Sequence, residues 1–138
     1  MVKNEDLKQE QLKEKFMQFQ TLQQYIEQVE EHLALLNKQY ADLENSKEAL
    51  QEFSKTEKGL ILAPIINGIF VKAELKDNQN LLINVGADAV VEKTVSQAVE
   101  LLKERQKETL EKVGEAQKLL QEFHQQAAQI YQEVEALE

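Results

Sequence analysis

Two runs of apolar residues, each recurring at alternating intervals of three and four, frame this 138-residue chain and leave it little choice of fold. The first run takes in Leu12, Phe19, Ile26, Leu33, Tyr40 and Lys47, interleaved with Lys15, Leu22, Val29, Leu36, Leu43 and Leu50. Only the two lysines break it, and neither glycine nor proline occurs between Glu5 and Lys55. Such spacing, held over more than five heptads, outlasts what an ordinary globular helix shows and signals a coiled coil. The second run passes through Val99, Gln106, Val113, Leu120, Ala127 and Val134, interleaved with Leu102, Thr109, Ala116, Phe123, Ile130 and Leu137. The two seams are equally long, so they can pair with each other as an antiparallel hairpin of helices.

That pairing sets a register. With Leu50 against Val99 and Leu12 against Leu137, Phe19 meets Ile130, Leu22 meets Ala127, Ile26 meets Phe123 and Leu33 meets Ala116. Large side chains face small ones in several layers, as a core without voids requires. Gln106 and Thr109 fall opposite Leu43 and Tyr40 and fix register at some cost in stability. Thr94 and Gln97 have capping-box spacing and mark the start of the second helix. Gly114 lies off the seam and softens its helix without breaking it.

The connecting stretch from Gly59 to Thr94 holds three of the four glycines and the single proline. Strands are expected at Leu60–Ile65 and Ile69–Leu75 around Asn67-Gly68, a dipeptide that favours a type I′ turn. A second hairpin, Leu81–Val85 and Ala89–Val91, brackets Gly86-Ala87-Asp88. Pro64 places its strand at an edge or ends it early. Two hairpins on so short a segment cannot bury a core alone. Yet Leu60, Ile61, Leu62, Ile65, Ile66, Phe70, Val71, Leu81, Ile83 and Val85 call for burial, and free apolar edges aggregate. Pairing with other subunits is the economical solution, so an oligomer is expected on physical grounds alone. The expected fold is α+β and mainly α. A long antiparallel two-helix coiled coil (5–56 and 95–138) is joined by two central β-hairpins (57–94) that pair with other subunits.

At the other end of the seams, Phe16, Met17 and Tyr131 lie off the regular positions but at one level. Either Phe16 and Tyr131 widen the buried stripe, or the three offer flexible apolar surface to a partner.

Composition excludes several classes of function. The net charge of −9 is spread along the chain, so no basic face exists to attract nucleic acid or an anionic membrane. There is no cysteine, and hence no disulfide or thiolate metal site. No apolar leader or membrane-length run is seen, which points to a cytoplasmic protein. His32 and His124 lack a matching ligand cluster, and Gly86-Ala87-Asp88 lacks the lysine and spacing of a phosphate loop. Carboxylates such as Glu27, Glu30 and Glu31 read as a hydrated helix face. Neither an enzyme nor a cofactor is expected.

Several segments resemble the alpha-class subunit of prefoldin, in its archaeal form: Leu62-Ala63-Pro64-Ile65, the run from Gly68 to Asp77, Val85-Gly86-Ala87, and above all Val91-Glu92-Lys93-Thr94. The layout of helix, two hairpins and helix is similar throughout, which makes residues 1–138 a single domain. Two turns depart from the family pattern, at Ile66-Asn67-Gly68 and at Asp88-Ala89. The resemblance implies an ATP-independent holdase of two alpha and four beta subunits, with a second alpha copy and the beta subunits as partners. Its hairpins would build a double β-barrel. Its coiled-coil tips would capture unfolded client proteins and deliver them to a group II chaperonin. In this chain the tip residues are Leu7, Leu12, Phe16, Met17, Phe19, Ile130, Tyr131, Val134 and Leu137. A structural or filament-forming relative, whose barrel contacts propagate instead of closing, is the alternative.

Overall fold

The computed structural model describes residues 2–137, with side chains from residue 4 onward; the two ends of the expected 1–138 domain, Met1 and Glu138, lie outside the described residues. Six elements follow one another: α1 (Val2–Phe53), β1 (Gly59–Ile66), β2 (Ile69–Leu75), β3 (Asn80–Gly86), β4 (Ala89–Thr94) and α2 (Val95–Leu137). The chain divides into two compact units, one of Met1–Gln39 with Thr109–Glu138 and one of Tyr40–Glu108.

In the first unit α1 and α2 bury the seam foreseen from the heptads. Leu22, Ile26 and Ala127 form one buried cluster, with Phe19, Leu120, Phe123 and Ile130 packed against it. Leu36, Val113 and Ala116 form another, flanked by Val29 and Leu33. The residues gathered in each cluster are those the antiparallel register brings to one level. Tyr25, beside the seam, packs its ring against Phe123 with centroids 5.6 Å apart. An aromatic pair of this kind adds about 0.5–1.5 kcal/mol beyond its buried area.

The second unit carries the hairpins on the converging ends of the helices. α1 stops at Phe53, three residues before the expected end, because the Glu52 and Phe53 carbonyls accept the Lys55 and Thr56 amides three residues on, in a tighter turn that the segment beyond it holds in place. Ser54 Oγ donates to the Gln51 carbonyl, while Asn78 Nδ2 donates to the carbonyls of Ser54 and Thr56, at 3.2 and 2.7 Å. Gln79 Nε2 also donates to the Ser54 carbonyl, and the Gln79 carbonyl accepts the Val95 amide that opens α2. One polar turn between the hairpins therefore terminates one helix and starts the other. Asp77 folds that turn by accepting from the Gln79 and Asn80 amides and from Asn80 Nδ2. The capping box at α2 is reciprocal: Thr94 N–H donates to Gln97 Oε1 at 3.0 Å, and Gln97 N–H donates to Thr94 Oγ1 at 3.1 Å. Within the helical part of this unit Gln106 is buried, and its Nε2 donates to the Tyr40 carbonyl and to Glu44 Oε2. That hydrogen bond, with help from Lys47, holds the Glu44 carboxyl below its usual range.

Each hairpin is its own two-stranded antiparallel sheet, β1 with β2 and β3 with β4. The first closes Ile66 against Ile69 and the second Gly86 against Ala89. Both register shifts fall just before the turn, leaving Ile65 and Val85 as the extra residues. Pro64 thus sits beside a bulge rather than ending its strand, since a bulge frees it from ladder donation. Asn67 and Gly68 have φ of 46° and 78°, as a type I′ turn demands. The second loop contains two residues, not the expected three: Gly86 pairs in the ladder, and Ala87 and Asp88 turn the chain at φ of 51° and 60°. β4 continues to Thr94 rather than stopping at Val91, because Glu92, Lys93 and Thr94 pair with Leu82, Leu81 and Asn80.

Ala87 occupies a left-handed conformation that its Cβ disfavours. Replacing it with glycine is expected to stabilise the chain by about 0.5–1 kcal/mol in urea unfolding. The Asp77 carboxyl is held below its usual range chiefly by the Asn80 side chain, then by the Gln79 and Asn80 amides. Its contribution to stability is therefore full above the ordinary carboxylate range and is lost as pH falls through the lowered pKa. Asp77→Asn should flatten that part of the acid unfolding curve.

Candidate functional surfaces

Two exposed apolar surfaces stand out, one in each unit. In the first unit the expected tip residues separate into classes. Phe16, Met17 and Tyr131 are about three-fifths exposed, and Leu7 slightly less. Leu12, Phe19, Ile130, Val134 and Leu137 are half-buried seam residues. Phe16, Phe19, Ile130, Tyr131 and Val134 come together around a groove of about 320 Å³, edged by Glu135. Phe16 and Tyr131 stand out from the stripe and do not widen its buried part. Met17 does not join this groove. It faces a separate one with Leu22, Gln126 and Ile130, so the three off-seam residues share a level but not a surface. Leu7, Leu12 and Leu137 line neither groove.

The sequence reading missed how the terminal seam manages its lysine. Lys15, at a position that heptad spacing reserves for an apolar side chain, forms an ion pair with Glu133. The buried Glu133 Oε2 has no other partner among the described residues. The one sign of it in the sequence is a lysine at a seam position. His32 lines a shallow groove with Lys112 and Glu115, and His124 is exposed. Among the described residues no group of three or more His, Cys, Asp or Glu side chains could hold a metal ion. No helix among them is long and apolar enough to cross a membrane.

In the second unit the hairpins leave much of their apolar surface open. Leu60, Leu62, Ile65, Ile66, Phe70, Val71 and Val85 are between 45% and 74% exposed. Three residues outside the expected set are also open: Ile69, Leu82 and Val90. Their doubled runs, Leu81-Leu82 and Val90-Val91, concealed that both faces of a strand were apolar. Ile61, Leu81 and Ile83 point to the other face and are half-buried within the chain. Leu81 and Ile83 help to line a groove of about 630 Å³ with Leu50 and Phe53 of α1 and Ala98 and Leu102 of α2. Each strand has a partner on one side only, so its other edge is unpaired among the described residues. An isolated two-stranded sheet is marginal in water.

This pattern has close relatives. Residues 22–138 match the family described as prefoldin subunit. The chain belongs to the prefoldin subunit family. A prefoldin alpha subunit from Pyrococcus horikoshii is 30% identical over 115 residues, covering 82% of this chain and 78% of that protein. The prefoldin alpha subunit of Archaeoglobus fulgidus is 27% identical over 129 residues, covering 93% and 94%. Among solved structures, the filamentous PFD of Methanocaldococcus jannaschii, determined by cryo-EM, shares the fold at a TM-score of 0.59. It is 18% identical, and the match covers 86% of this chain and 93% of that one. The alpha-class prefoldin resemblance read from Val91-Glu92-Lys93-Thr94 and the paired hairpins is met by these relatives, and membership implies chaperone-associated work.

Exposure and burial should separate in unfolding experiments on the prefoldin chain. Ile26→Ala is expected to cost about 2–5 kcal/mol, as deletion of a buried aliphatic side chain does. Phe16→Ser with Tyr131→Ser should change stability by less than about 1 kcal/mol, as surface substitutions do.

Proposed function

We propose that this chain is the alpha-class subunit of an ATP-independent, hetero-oligomeric holdase. In this reading its hairpins pair with those of a second alpha copy and of beta subunits, two alpha with four beta, to close an intersubunit β-barrel. The coiled-coil ends bind non-native polypeptides in the cytoplasm and pass them to a group II chaperonin. The observation that carries the assembly half is the combination of unpaired strand edges and exposed Leu60, Leu62, Ile65, Ile66 and Phe70 on hairpins too small to stand alone. The aromatic groove around Phe16, Phe19, Ile130, Tyr131 and Val134 supports the capture half.

The mechanism needs no catalysis. A non-native chain exposes apolar segments, and burying them releases about 25 cal/mol for each Å² removed from water. One groove of this size binds weakly, whereas several ends presented by one assembly act together through effective concentration. Each contact then remains reversible and the client can leave. Met17 adds contact through its separate groove, and Leu7, Leu12 and Leu137 add apolar contacts outside both grooves. The acidic surface, with a net charge of −9, selects against nucleic acid and anionic membranes as competitors. A filament built from the same hairpin contacts is the second reading, favoured by the likeness to the filamentous PFD. Electron microscopy of the protein alone and with a beta subunit separates fibres from discrete particles.

The two halves are tested by separate variants. Phe16→Ser with Tyr131→Ser should leave the mass of the complex with a prefoldin beta subunit unchanged and weaken suppression of client aggregation several-fold; full suppression would count against capture at the groove. Val71→Asp should abolish the complex, because it places an unpaired charge on a strand meant to be covered. A complex of normal mass would refute the hairpin assignment.

A further inference from the structure

Asn67 is the only one of the chain's seven asparagines that is followed by glycine. The other six are chemically sheltered. Asn4, Asn37 and Asn45 lie within α1, where helical geometry turns each following amide nitrogen away from the side chain and into the helix ladder. Asn78 donates to the Ser54 and Thr56 carbonyls, Asn80 donates to Asp77, and Asn84 Oδ1 accepts the Gly86 amide. Asn67 has none of these restraints. It sits at the tip of the first hairpin, exposed, and its side-chain amide makes no hydrogen bond among the described residues. The ladder closes between Ile66 and Ile69, so the Gly68 N–H lies outside it. Even an added Cβ at Gly68 would meet nothing within 4 Å.

We propose that Asn67-Gly68 is a deamidation site of the unassembled chain, and that the isoaspartyl product withdraws the hairpin from assembly. The second clause rests on the assembly reading above. The Gly68 backbone nitrogen loses its proton and bonds to Asn67 Cγ. The Cγ–Nδ2 bond breaks and the nitrogen leaves as ammonia, closing a five-membered succinimide. One water then opens the ring. Attack at Cγ gives aspartate, and attack at the main-chain carbonyl gives isoaspartate, in which the backbone runs through Cβ and Cγ. Water is consumed, ammonia is released and no oxidant is required.

The consequence is local and specific. Isoaspartate adds a carbon to the backbone of a two-residue loop that fixes the Ile66–Ile69 register, next to the bulge at Ile65. Strand faces alternate with period two, so a slipped register exchanges the covered and exposed faces. The new carboxylate also stands among Ile65, Ile66, Ile69 and Phe70, all more than half exposed in the single chain. Burying it there without a partner is unfavourable. The second hairpin has Ala87-Asp88 at the corresponding place and no amide to lose. Ageing would therefore strike one hairpin and spare its neighbour.

The test is to incubate the purified full chain alone at mildly alkaline pH, then map its peptides by mass spectrometry with isoaspartyl-methyltransferase labelling. Asn67 is expected to convert, mainly to isoaspartate, while the other asparagines keep their amides. Retention of the Asn67 amide while Asn84 or Asn78 converts would overturn the site. The aged chain, mixed with a prefoldin beta subunit, should be depleted in isoaspartate within the complex and enriched in the unbound fraction. Equal isoaspartate in both fractions would overturn the consequence. Asn67→Gly keeps a turn-compatible dipeptide and should neither label nor lose assembly on ageing; loss at the wild-type rate would place the damage elsewhere. If the fresh chain forms no complex, the assembly reading fails, and the peptide map still decides the modification by itself.

Discussion

A β-hairpin standing by itself leaves the outer N–H and C=O groups of both strands unpaired, and this constraint governs the molecule. Water can satisfy those groups but cannot cover apolar residues on the faces between them. Here the first hairpin presents Leu60, Leu62, Ile65, Ile66, Ile69 and Phe70, and the second presents Leu82, Val85 and Val90. An edge of that composition is a template for another strand. The chain therefore carries half of a structure, and completion by further subunits is what turns an aggregation hazard into a specific contact.

The rest of the second unit prepares the hairpins for that role. The turn at Asp77–Asn80 ties the end of α1 to the start of α2 through the Asn78 and Gln79 side chains and the Gln79 carbonyl. Reciprocal Thr94 and Gln97 bonds fix the point at which strand becomes helix. In the first unit the helices bury Leu22, Ile26, Leu36, Val113, Ala116 and Ala127, which leaves Phe16 and Tyr131 free to stand outside the packed stripe. Firm packing beneath and exposed rings above fit the proposed role of a surface that binds many sequences weakly. Binding of that kind depends on apolar area and on repetition, with little need for a fitted pocket.

Periodicity made the helices legible, because apolar spacing and burial share one cause. The register followed from two seams of equal length, and the contents of the buried clusters agree with it. Turn chemistry located the first hairpin, since Asn-Gly satisfies positive φ at both central residues. The second turn was harder to read: Ala87 is a poor left-handed residue, and the glycine that attracted attention, Gly86, pairs in the ladder. Strand faces were only half readable, because runs such as Leu81-Leu82 lack the alternation that tells inside from outside. The Lys15–Glu133 pair was invisible for a different reason. Charge partners across helices depend on rotamers as well as register, and rotamers are not written in spacing.

Backbone hydrogen exchange on the free chain and on its complex with a prefoldin beta subunit tests the central claim most directly. Assembly is expected to protect the amides of Gly59–Ile66, Ile69–Leu75, Asn80–Gly86 and Ala89–Thr94 strongly, with residues 7–20 and 130–137 unchanged until a non-native client is added. Protection that appears first in residues 7–20 and 130–137, with the four strands exchanging as fast as in the free chain, would contradict it.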